Sequence, residues 1–205
     1  MKDSSDSKLA ARMLLEIKAI NFNFENPFSL ASGFLSPSYI DCRKIISYPK
    51  VRTKITELLT KKIEQEIGVE VIQYIIGGET AGIPFASLVA EKLQLPLAYV
   101  RKKTKKYGKN KLIEGEIFPE KESLLIEDLM TDGKSKIDFL DKIRAQNIKC
   151  SHGLVIFNYD IFPETKKRLK ENKIKMHHLT SWLDVYNQIK ENSAFDQFTI
   201  KQIKK

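Results

Sequence analysis

The sequence predicts an α/β fold in which a mostly parallel sheet is flanked by helices and carries a small N-terminal hood. Short apolar runs alternate with helical patterns from Val71 to Leu179, as is typical of parallel strands joined by crossover helices. Two of these runs end in turns rich in glycine or in acidic and hydroxyl residues. The 205 residues are enough for one core. We therefore expect a single domain, with an N-terminal helix, hood and helix at 1–68, a core sheet at 69–180 and a helical segment at 181–205.

The composition limits the kinds of partner and the cellular compartment that we expect for this chain. The formal net charge of +9 indicates an anionic partner, and nucleic acid, a membrane surface and a phosphorylated metabolite all satisfy it. Cys42 and Cys150 lie far apart, which predicts neither a metal site nor a disulfide framework and favours the cytoplasm. The first twenty residues include Asp3, Asp6 and Glu16 and sustain no apolar run, so we expect a soluble protein without a signal peptide or membrane span.

The N-terminal third predicts helices around a short hairpin. Apolar residues recur at helical spacing over residues 7–20, behind Ser7. The stretch Phe28–Arg43 alternates apolar and small residues around Gly33 and Pro37, and this predicts a hairpin or hood ahead of the main sheet. Pro49–Ile67 predicts a second helix.

The first candidate anion site follows the strand predicted at Val71–Ile76. A glycine-rich turn leads from this strand into a helix predicted at Phe85–Leu93, and free amides at such a junction can bind an anion. The P-loop is a competing interpretation, but Ile83 stands where that motif requires lysine. The candidate ligands in this turn are Gly78, Glu79, Thr80 and Ala81.

A basic stretch follows the strand predicted at Leu97–Val100. Seven lysines and arginines occur in Arg101–Gly115, a composition that also suits a solvated charge run or a nucleic-acid arm. Its position after a sheet strand, bounded by Gly108 and Gly115, favours a loop that closes over a polyanion.

The central candidate site is Ser123–Lys136, an apolar run followed by two acids and a polar turn. Amides and hydroxyls between Thr131 and Ser135 can converge on a phosphate. Glu127 and Asp128 would repel that anion, so they are better suited to accept hydrogen bonds from the hydroxyls of a phosphorylated sugar, with a metal ion moderating the repulsion.

Two other interpretations of this stretch are considered. The P-loop shares its last three letters, but Asp128 stands where that motif begins with glycine. An ordinary strand-to-helix connection with Asp132 or Ser135 as the N-cap also fits the local pattern.

The C-terminal third predicts further sheet and helix. We expect His152 to stand alone in a structural or exposed position, and His177 and His178 to face opposite sides of a strand and not to chelate a metal. The predicted elements are a strand at 153–157, a helix at 166–173, a strand at 175–179 and a helix at 182–189.

The acidic pair and Thr-x-Gly turn after an apolar strand resemble the phosphoribosyl pyrophosphate (PRPP) motif of the type I phosphoribosyltransferases. The resemblance implies that Glu127 and Asp128 hold the ribose hydroxyls, that the glycine turn at 78–81 binds the pyrophosphate, and that Mg²⁺ is the cofactor, with Asp128 as a possible ligand. It assigns the 5-phosphate to Thr131, Asp132, Gly133, Lys134 and Ser135.

The hood and the basic stretch resemble those of orotate phosphoribosyltransferases. The loop pattern of that family matches at Arg101, Lys102 and Lys105, with Tyr107 in place of a histidine. The resemblance implies that these three cations are catalytic, that Tyr107 contacts PRPP, and that the loop reaches the neighbouring subunit's site in a homodimer. It assigns orotate binding to Ser32, Gly33 and Thr131.

This chain departs from the family at several points. Ala31 and Ala81 stand where some members have lysine, and the stretch after residue 157 lacks an arginine that contacts the orotate carboxylate in relatives. The predicted function is Mg²⁺-dependent transfer of the phosphoribosyl group from PRPP to orotate, without nucleic acid or membrane partners. The alternatives are a purine phosphoribosyltransferase and an RNA-binding regulator with the same fold.

Overall fold

The computed structural model describes residues 4–30, 33–103, 111–191 and 197–204. The helices in these ranges are α1 (Ser4–Glu16), α2 (Pro49–Glu66), α3 (Gly82–Leu93), α4 (Lys134–Arg144), α5 (Pro163–Glu171), α6 (Trp182–Glu191) and α7 (Gln197–Lys204). The strands are β1 (Ile20–Phe22), β2 (Phe28–Ser29), β3 (Leu35–Ser36), β4 (Ser38–Ile40), β5 (Tyr74–Gly78), β6 (Leu97–Val100), β7 (Ile113–Glu114), β8 (Glu122–Met130), β9 (Lys149–Asn158) and β10 (Lys175–Ser181).

Six strands form the central sheet, in the order β10-β9-β8-β5-β6-β7. All neighbouring strands are parallel except β6 and β7, which pair antiparallel. The long strands β8 and β9 are apolar and buried in their central parts, because helices cover both faces of a parallel sheet. The predicted α/β class with a mostly parallel sheet is confirmed.

The two faces of the sheet have separate hydrophobic cores. Leu124 and Ile126 of β8 face a core that includes residues of α1, α2, α3 and α6. Leu125 lies between them in the strand and faces the opposite core, with α4 residues such as Phe139 and Leu140. This alternation follows from the two-residue period of a strand, and it leaves the strand ends as the place where polar side chains emerge.

Two short antiparallel pairs form the predicted hood. Strand β1 pairs with β4, with Ile20 opposite Ile40, and β2 pairs with β3, with Phe28 opposite Ser36. A 3-10 turn at Cys42–Ser47 then leads to α2.

Several element bounds differ from the sequence predictions. Helix α1 ends at Glu16, and Ile20 belongs to β1. Helix α3 begins at Gly82, three residues before the predicted start, because Pro84 is compatible with the first turn of a helix. None of the helices in the described ranges is both long and apolar enough to span a bilayer.

Candidate active site

Three connections begin from adjacent strand ends. In the sheet register Gly78 lies opposite Val100, and Gly77 lies opposite Ile126. The glycine turn after β5, the basic stretch after β6 and the acidic turn after β8 therefore start at one edge of the sheet. In open α/β sheets this edge, beyond the carboxyl ends of the strands, is where ligands bind.

The glycine turn after β5 packs directly against Glu127. A Cβ atom added to Gly78 or to Gly82 would lie 2.5 Å from Glu127 Oε1. At Gly82 it would also collide with the carbonyl oxygen of Ile126. Both positions require glycine because of this close approach. Between them, the Glu79–Thr80 peptide bond is cis, Thr80 is exposed and Ala81 is half-buried.

The start of the basic stretch is held at Lys102. Its backbone N–H donates to Glu79 Oε2 at 2.7 Å, and its carbonyl oxygen accepts from Lys142 Nζ at 2.8 Å. The Arg101 guanidinium lies 3.8 Å from carboxylate oxygens of both Glu79 and Glu114. Arg101 and Lys102 thus lie beside the glycine turn.

Lys105 and Tyr107, two further residues of the predicted loop, lie outside the described residues. The same holds for Ser32 and Ala31 in the hood. Gly33 is described and has a φ of +87° at the end of the β2–β3 connection.

The two adjacent acids of β8 have different environments. Glu127 is only 5% exposed, and its Oε2 accepts a hydrogen bond from Lys136 Nζ, whose residue is only 4% exposed. Asp128 is half-buried. Burial raises the pKa of Glu127 to about 7, and the positive charges of Lys136 and Lys102 oppose that rise. Of the predicted diol ligands, only Asp128 is partly open to solvent.

One oxygen of Glu127 has no partner in the described structure. Oε1 is buried and forms no hydrogen bond there, although it faces the glycine turn. An unsatisfied buried carboxylate oxygen is costly, so the ion pair with Lys136 is the main compensation for burying this group. In the sequence Lys136 marks only the end of the central stretch, and no local pattern indicates this pair.

The acidic turn after Asp128 leads into α4 through Gly133. This glycine has a φ of +80° and immediately precedes the helix, a conformation that other residues adopt at a cost. The carbonyl of Gly133 accepts hydrogen bonds from the amides of Lys136 and Ile137. Thr131 is half-buried, and Lys134 and Ser135 are exposed. The turn therefore presents backbone and hydroxyl groups at a helix N-terminus, as an anion site requires.

The hood lies beside Asp128. Arg43 Nε donates to Asp41 Oδ1 at 2.7 Å, and its Nη2 donates to the hydroxyl oxygen of Tyr39 at 3.1 Å. Burial, followed by the negative charge of Asp128, raises the pKa of Cys42. The pKa of Arg43 is raised chiefly by Asp41, with a further contribution from Asp128. The sequence analysis included Arg43 in the hood motif but gave it no role.

The hood also meets the connection between β9 and α5. The rings of Phe34 and Phe162 are 5.4 Å apart, and the side-chain hydroxyl of Tyr159 forms a hydrogen bond with the backbone of Ile40. Asn158, at the end of β9, accepts the amide of Asp160 at 3.2 Å. These contacts bring the hood to the strand edge that carries the two turns.

The prediction that His152 stands alone is wrong. Its Nδ1 lies 3.1 Å from His177 Nε2, and His177 Nδ1 lies 2.9 Å from Glu66 Oε2. The pattern gave no sign of this because Glu66 is distant in sequence and enters from α2. None of the three residues belongs to the turns.

A cavity among the described residues also lies elsewhere. It has a volume of about 1210 Å³, and residues of α2, of the β9–α5 connection and of α6 line it, including Leu58, Tyr159 and Trp182. No predicted site residue lines this cavity. The candidate site is therefore the polar strand edge and not this cavity.

A metal ion at this edge would rely on few protein ligands. Within the described ranges there is no group of three or more His, Cys, Asp or Glu side chains arranged to hold a metal. Mg²⁺ commonly binds one or two carboxylates and completes its coordination with water and substrate phosphates. The half-buried Asp128 fits such a site.

The chain is similar to known phosphoribosyltransferases over most of its length. The family model described as "Phosphoribosyl transferase domain" matches residues 44–185. The orotate phosphoribosyltransferase of Roseobacter denitrificans is 50% identical over 199 residues, which are 97% of this chain and 88% of the relative. That of Cereibacter sphaeroides is 50% identical over 197 residues, covering 96% and 85%.

A solved structure shares the fold. The crystal structure of orotate phosphoribosyltransferase from Aeropyrum pernix matches with a TM-score of 0.75 at 21% sequence identity, covering 88% of this chain and 99% of that one. At this identity the match bears on the fold alone, and the two bacterial relatives carry the assignment to a family.

Proposed function

The chain belongs to the orotate phosphoribosyltransferase family, and from that premise we propose that it transfers the phosphoribosyl group of PRPP to orotate, giving orotidine 5-monophosphate and pyrophosphate. One observation carries this proposal: a glycine turn, a basic stretch and an acidic turn begin at neighbouring strand ends. A ligand that carries a pyrophosphate, a diol and a phosphate has the kinds of group that these three connections can bind. The whole chain, 1–205, acts as one phosphoribosyltransferase domain.

The acidic turn binds the ribose 5-phosphate end of PRPP. Thr131, Gly133 and Ser135 supply amides and hydroxyls to the 5-phosphate, and Lys134 and Asp132 complete the turn. Asp128 accepts hydrogen bonds from the ribose hydroxyls, since its carboxylate is partly open. Glu127 supports this arrangement from its buried position against Gly78 and Gly82.

The glycine turn binds the pyrophosphate. Gly78, Glu79, Thr80 and Ala81 bring backbone close to it without an intervening long side chain, and the Lys102 amide is held at the same place by Glu79. Ala81 and Ala31 supply no amine where some relatives have lysine, so the cations of the basic stretch carry more of the charge compensation.

The reaction separates charge, and the basic stretch stabilises the departing group. The anomeric carbon develops oxocarbenium character while the pyrophosphate leaves with growing negative charge. Arg101, Lys102 and Lys105 stabilise that charge electrostatically, and Tyr107 adds a hydrogen bond. Bound Mg²⁺ supplies further stabilisation as a Lewis acid on phosphate oxygens.

Orotate binds under the hood. Ser32, Gly33 and Thr131 contact the base, and the Phe34–Phe162 contact supports a hood that limits access of water to the sugar cation. The basic loop of each subunit serves its neighbour in a homodimer. The enzyme works in the cytoplasm, which agrees with two buried free cysteines, Cys42 and Cys150.

An assay with alternative bases tests the proposal. Protein, Mg²⁺ and PRPP are mixed with orotate, adenine, guanine or hypoxanthine, and the ultraviolet absorbance of the base and the release of pyrophosphate are followed. We expect consumption of orotate alone. Consumption of a purine instead would identify a purine enzyme. Absence of turnover with every base, together with RNA binding that weakens steeply with salt, would identify a regulator.

A matched pair of variants tests the site. Asp128→Asn should lower kcat/KM about a hundredfold, because it removes a charged acceptor from the sugar. Asp138→Asn changes an exposed acid on the neighbouring helix α4 and should leave kcat/KM within about twofold, as expected for a surface substitution. Equal activities of the two variants would remove Asp128 from the site.

A further inference from the structure

Asp132 is an unexpected residue for a phosphate-binding turn. It lies between Thr131 and Gly133, and it is only 8% exposed. A carboxylate next to a bound phosphate repels it, and the repulsion is stronger where water is excluded. Unless its charge is compensated, Asp132 would weaken the binding of the 5-phosphate that the proposed function assigns to this turn.

The structure supplies the compensation through Arg168 of α5. Arg168 Nη1 lies 3.5 Å from Asp132 Oδ2, and the same nitrogen donates a hydrogen bond to the carbonyl oxygen of Asp132. The other carboxylate oxygen, Oδ1, accepts the backbone N–H of Lys134 at 3.2 Å. The Lys134 ammonium lies 3.7 Å from Oδ2, but this side chain is 67% exposed. Arg168 is thus the more buried of the two cations that face Asp132.

Helix α5 supports the turn at further points. Thr165 Oγ1 donates to the carbonyl oxygen of Thr131 at 3.4 Å. A Cβ added to Gly133 would lie 3.6 Å from Thr165 Cγ2 and 4.0 Å from Leu169 Cδ2. One face of α5, which carries Thr165, Arg168 and Leu169, therefore packs against the turn, and Arg168 reaches Asp132 from this packed helix.

We propose that Arg168 is a positioning residue for PRPP binding: it neutralises and orients the Asp132 carboxylate so that the turn can accept the 5-phosphate. This inference rests on the proposed function. Since the 5-phosphate stays bound throughout the reaction, loss of Arg168 weakens substrate and transition state alike, which raises KM and leaves kcat nearly unchanged.

A double-mutant cycle tests the inference. Arg168→Met should raise the KM for PRPP about tenfold or more with kcat within about twofold, because Asp132 is left uncompensated. Asp132→Ser removes the acid and keeps a short acceptor for the Lys134 amide. In the Asp132→Ser background, Arg168→Met should change the KM for PRPP by less than about threefold, because the charge that Arg168 compensates is gone.

Control variants distinguish neutralisation of the Asp132 carboxylate from structural support of the turn. Arg168→Lys keeps the charge and should recover part of the lost affinity. Arg144→Met removes an arginine that also bonds backbone carbonyls, those of Asn172 at 2.6 Å and Cys150 at 2.7 Å, but that does not face Asp132. It should lower the free energy of unfolding without raising the KM for PRPP.

Direct binding of ribose 5-phosphate by calorimetry separates this inference from the proposed function. If the wild-type protein binds it and Arg168→Met binds it equally well, the inference fails and the function stands. Equal losses from Arg168→Met in both backgrounds would likewise overturn it, because Arg168 would then only brace the turn. If the wild-type protein binds no ribose 5-phosphate, the function itself fails. Should Arg168→Met not fold, Arg168→Lys and Asp132→Ser still give the cycle.

Discussion

The two turns at the strand edge are held in different ways. The turn after β5 packs closely against its neighbours because Gly78 and Gly82 have no side chains, which leaves room for Glu127. The end of β8 and the turn after it carry three acids within six residues, and cations from two helices compensate two of them, with Lys136 facing Glu127 and Arg168 facing Asp132. The glycine turn depends on close packing and the acidic turn on compensated charge, so substitutions that change packing or charge should distinguish the two turns.

The largest expected effect tests the charged turn. Lys136→Met leaves the buried carboxylate of Glu127 without its counter-charge, and we expect the free energy of unfolding to fall by about 3 kcal/mol, measured by urea denaturation. Lys134→Met alters an exposed lysine two residues earlier and should change stability by less than about 0.5 kcal/mol. Similar losses in both variants would mean that the buried pair does not stabilise the turn.

The next effect tests the glycine turn. Gly82→Ala places a Cβ 2.5 Å from Glu127 Oε1 and against the backbone of Ile126, and we expect a loss of about 2 kcal/mol in the free energy of unfolding. Alanine favours helices more than glycine does, so a loss would reflect the collision alone.

Gly153→Ala is the matched control for this substitution. Its Cβ would also meet another residue too closely, but the contacts are the terminal Sδ and Cε atoms of Met176, which can move. We expect a loss below about 1 kcal/mol, because a flexible side chain relaxes at small cost. If both alanine variants lose the same stability, close backbone approach does not distinguish the glycine turn.

The smallest expected effect tests a third region, the cluster formed by His152, His177 and Glu66. Burial lowers the pKa of His177 below its ordinary value of 6.5, although the hydrogen bond with Glu66 opposes this. Below pH 6.5 the unfolded chain binds more protons at this residue than the folded protein does, so its contribution to stability falls as the pH falls. Glu66 adds to this only in stronger acid, because hydrogen bonds from Lys62 and His177 outweigh burial and lower its pKa from 4.5 to about 2.

Chemical denaturation at pH 7.5 and pH 5.5 measures this contribution. We expect the loss of stability between these two conditions to be smaller in His177→Asn than in the wild-type protein. If His177→Asn loses as much stability between the two conditions as the wild-type protein does, the cluster does not make the fold sensitive to acid.

The fold class and the two turns are predictable from the sequence because their signals are local. An apolar run, a glycine or acidic turn and a helical pattern all lie within about a dozen residues of each other. The partners of the charged turn were not predictable in this way. Lys136 resembles any helical lysine, and Arg168 lies in a lysine-rich helix that suggests a solvated face. Only the packing of α4 and α5 turns these two cations towards the acids.

The same limit applies to distant side-chain contacts. The pairing of His177 with Glu66 joins residues 111 positions apart, and no periodicity encodes it. The different exposures of Glu127 and Asp128 also depend on the fold, because Gly78 and Gly82 provide the space that buries one acid and not the other.

The anchoring of Lys102 has a consequence for how the basic stretch can change. The Arg101 amide donates to the Leu112 carbonyl at 2.8 Å. The backbone of Lys102 is held by hydrogen bonds with the side chains of Glu79 and Lys142. The residues between Lys102 and Leu112 therefore connect two fixed endpoints. Lengthening such a connection adds little to the entropic cost of closing it. We therefore expect changes in the length of this stretch to cost the fold little stability.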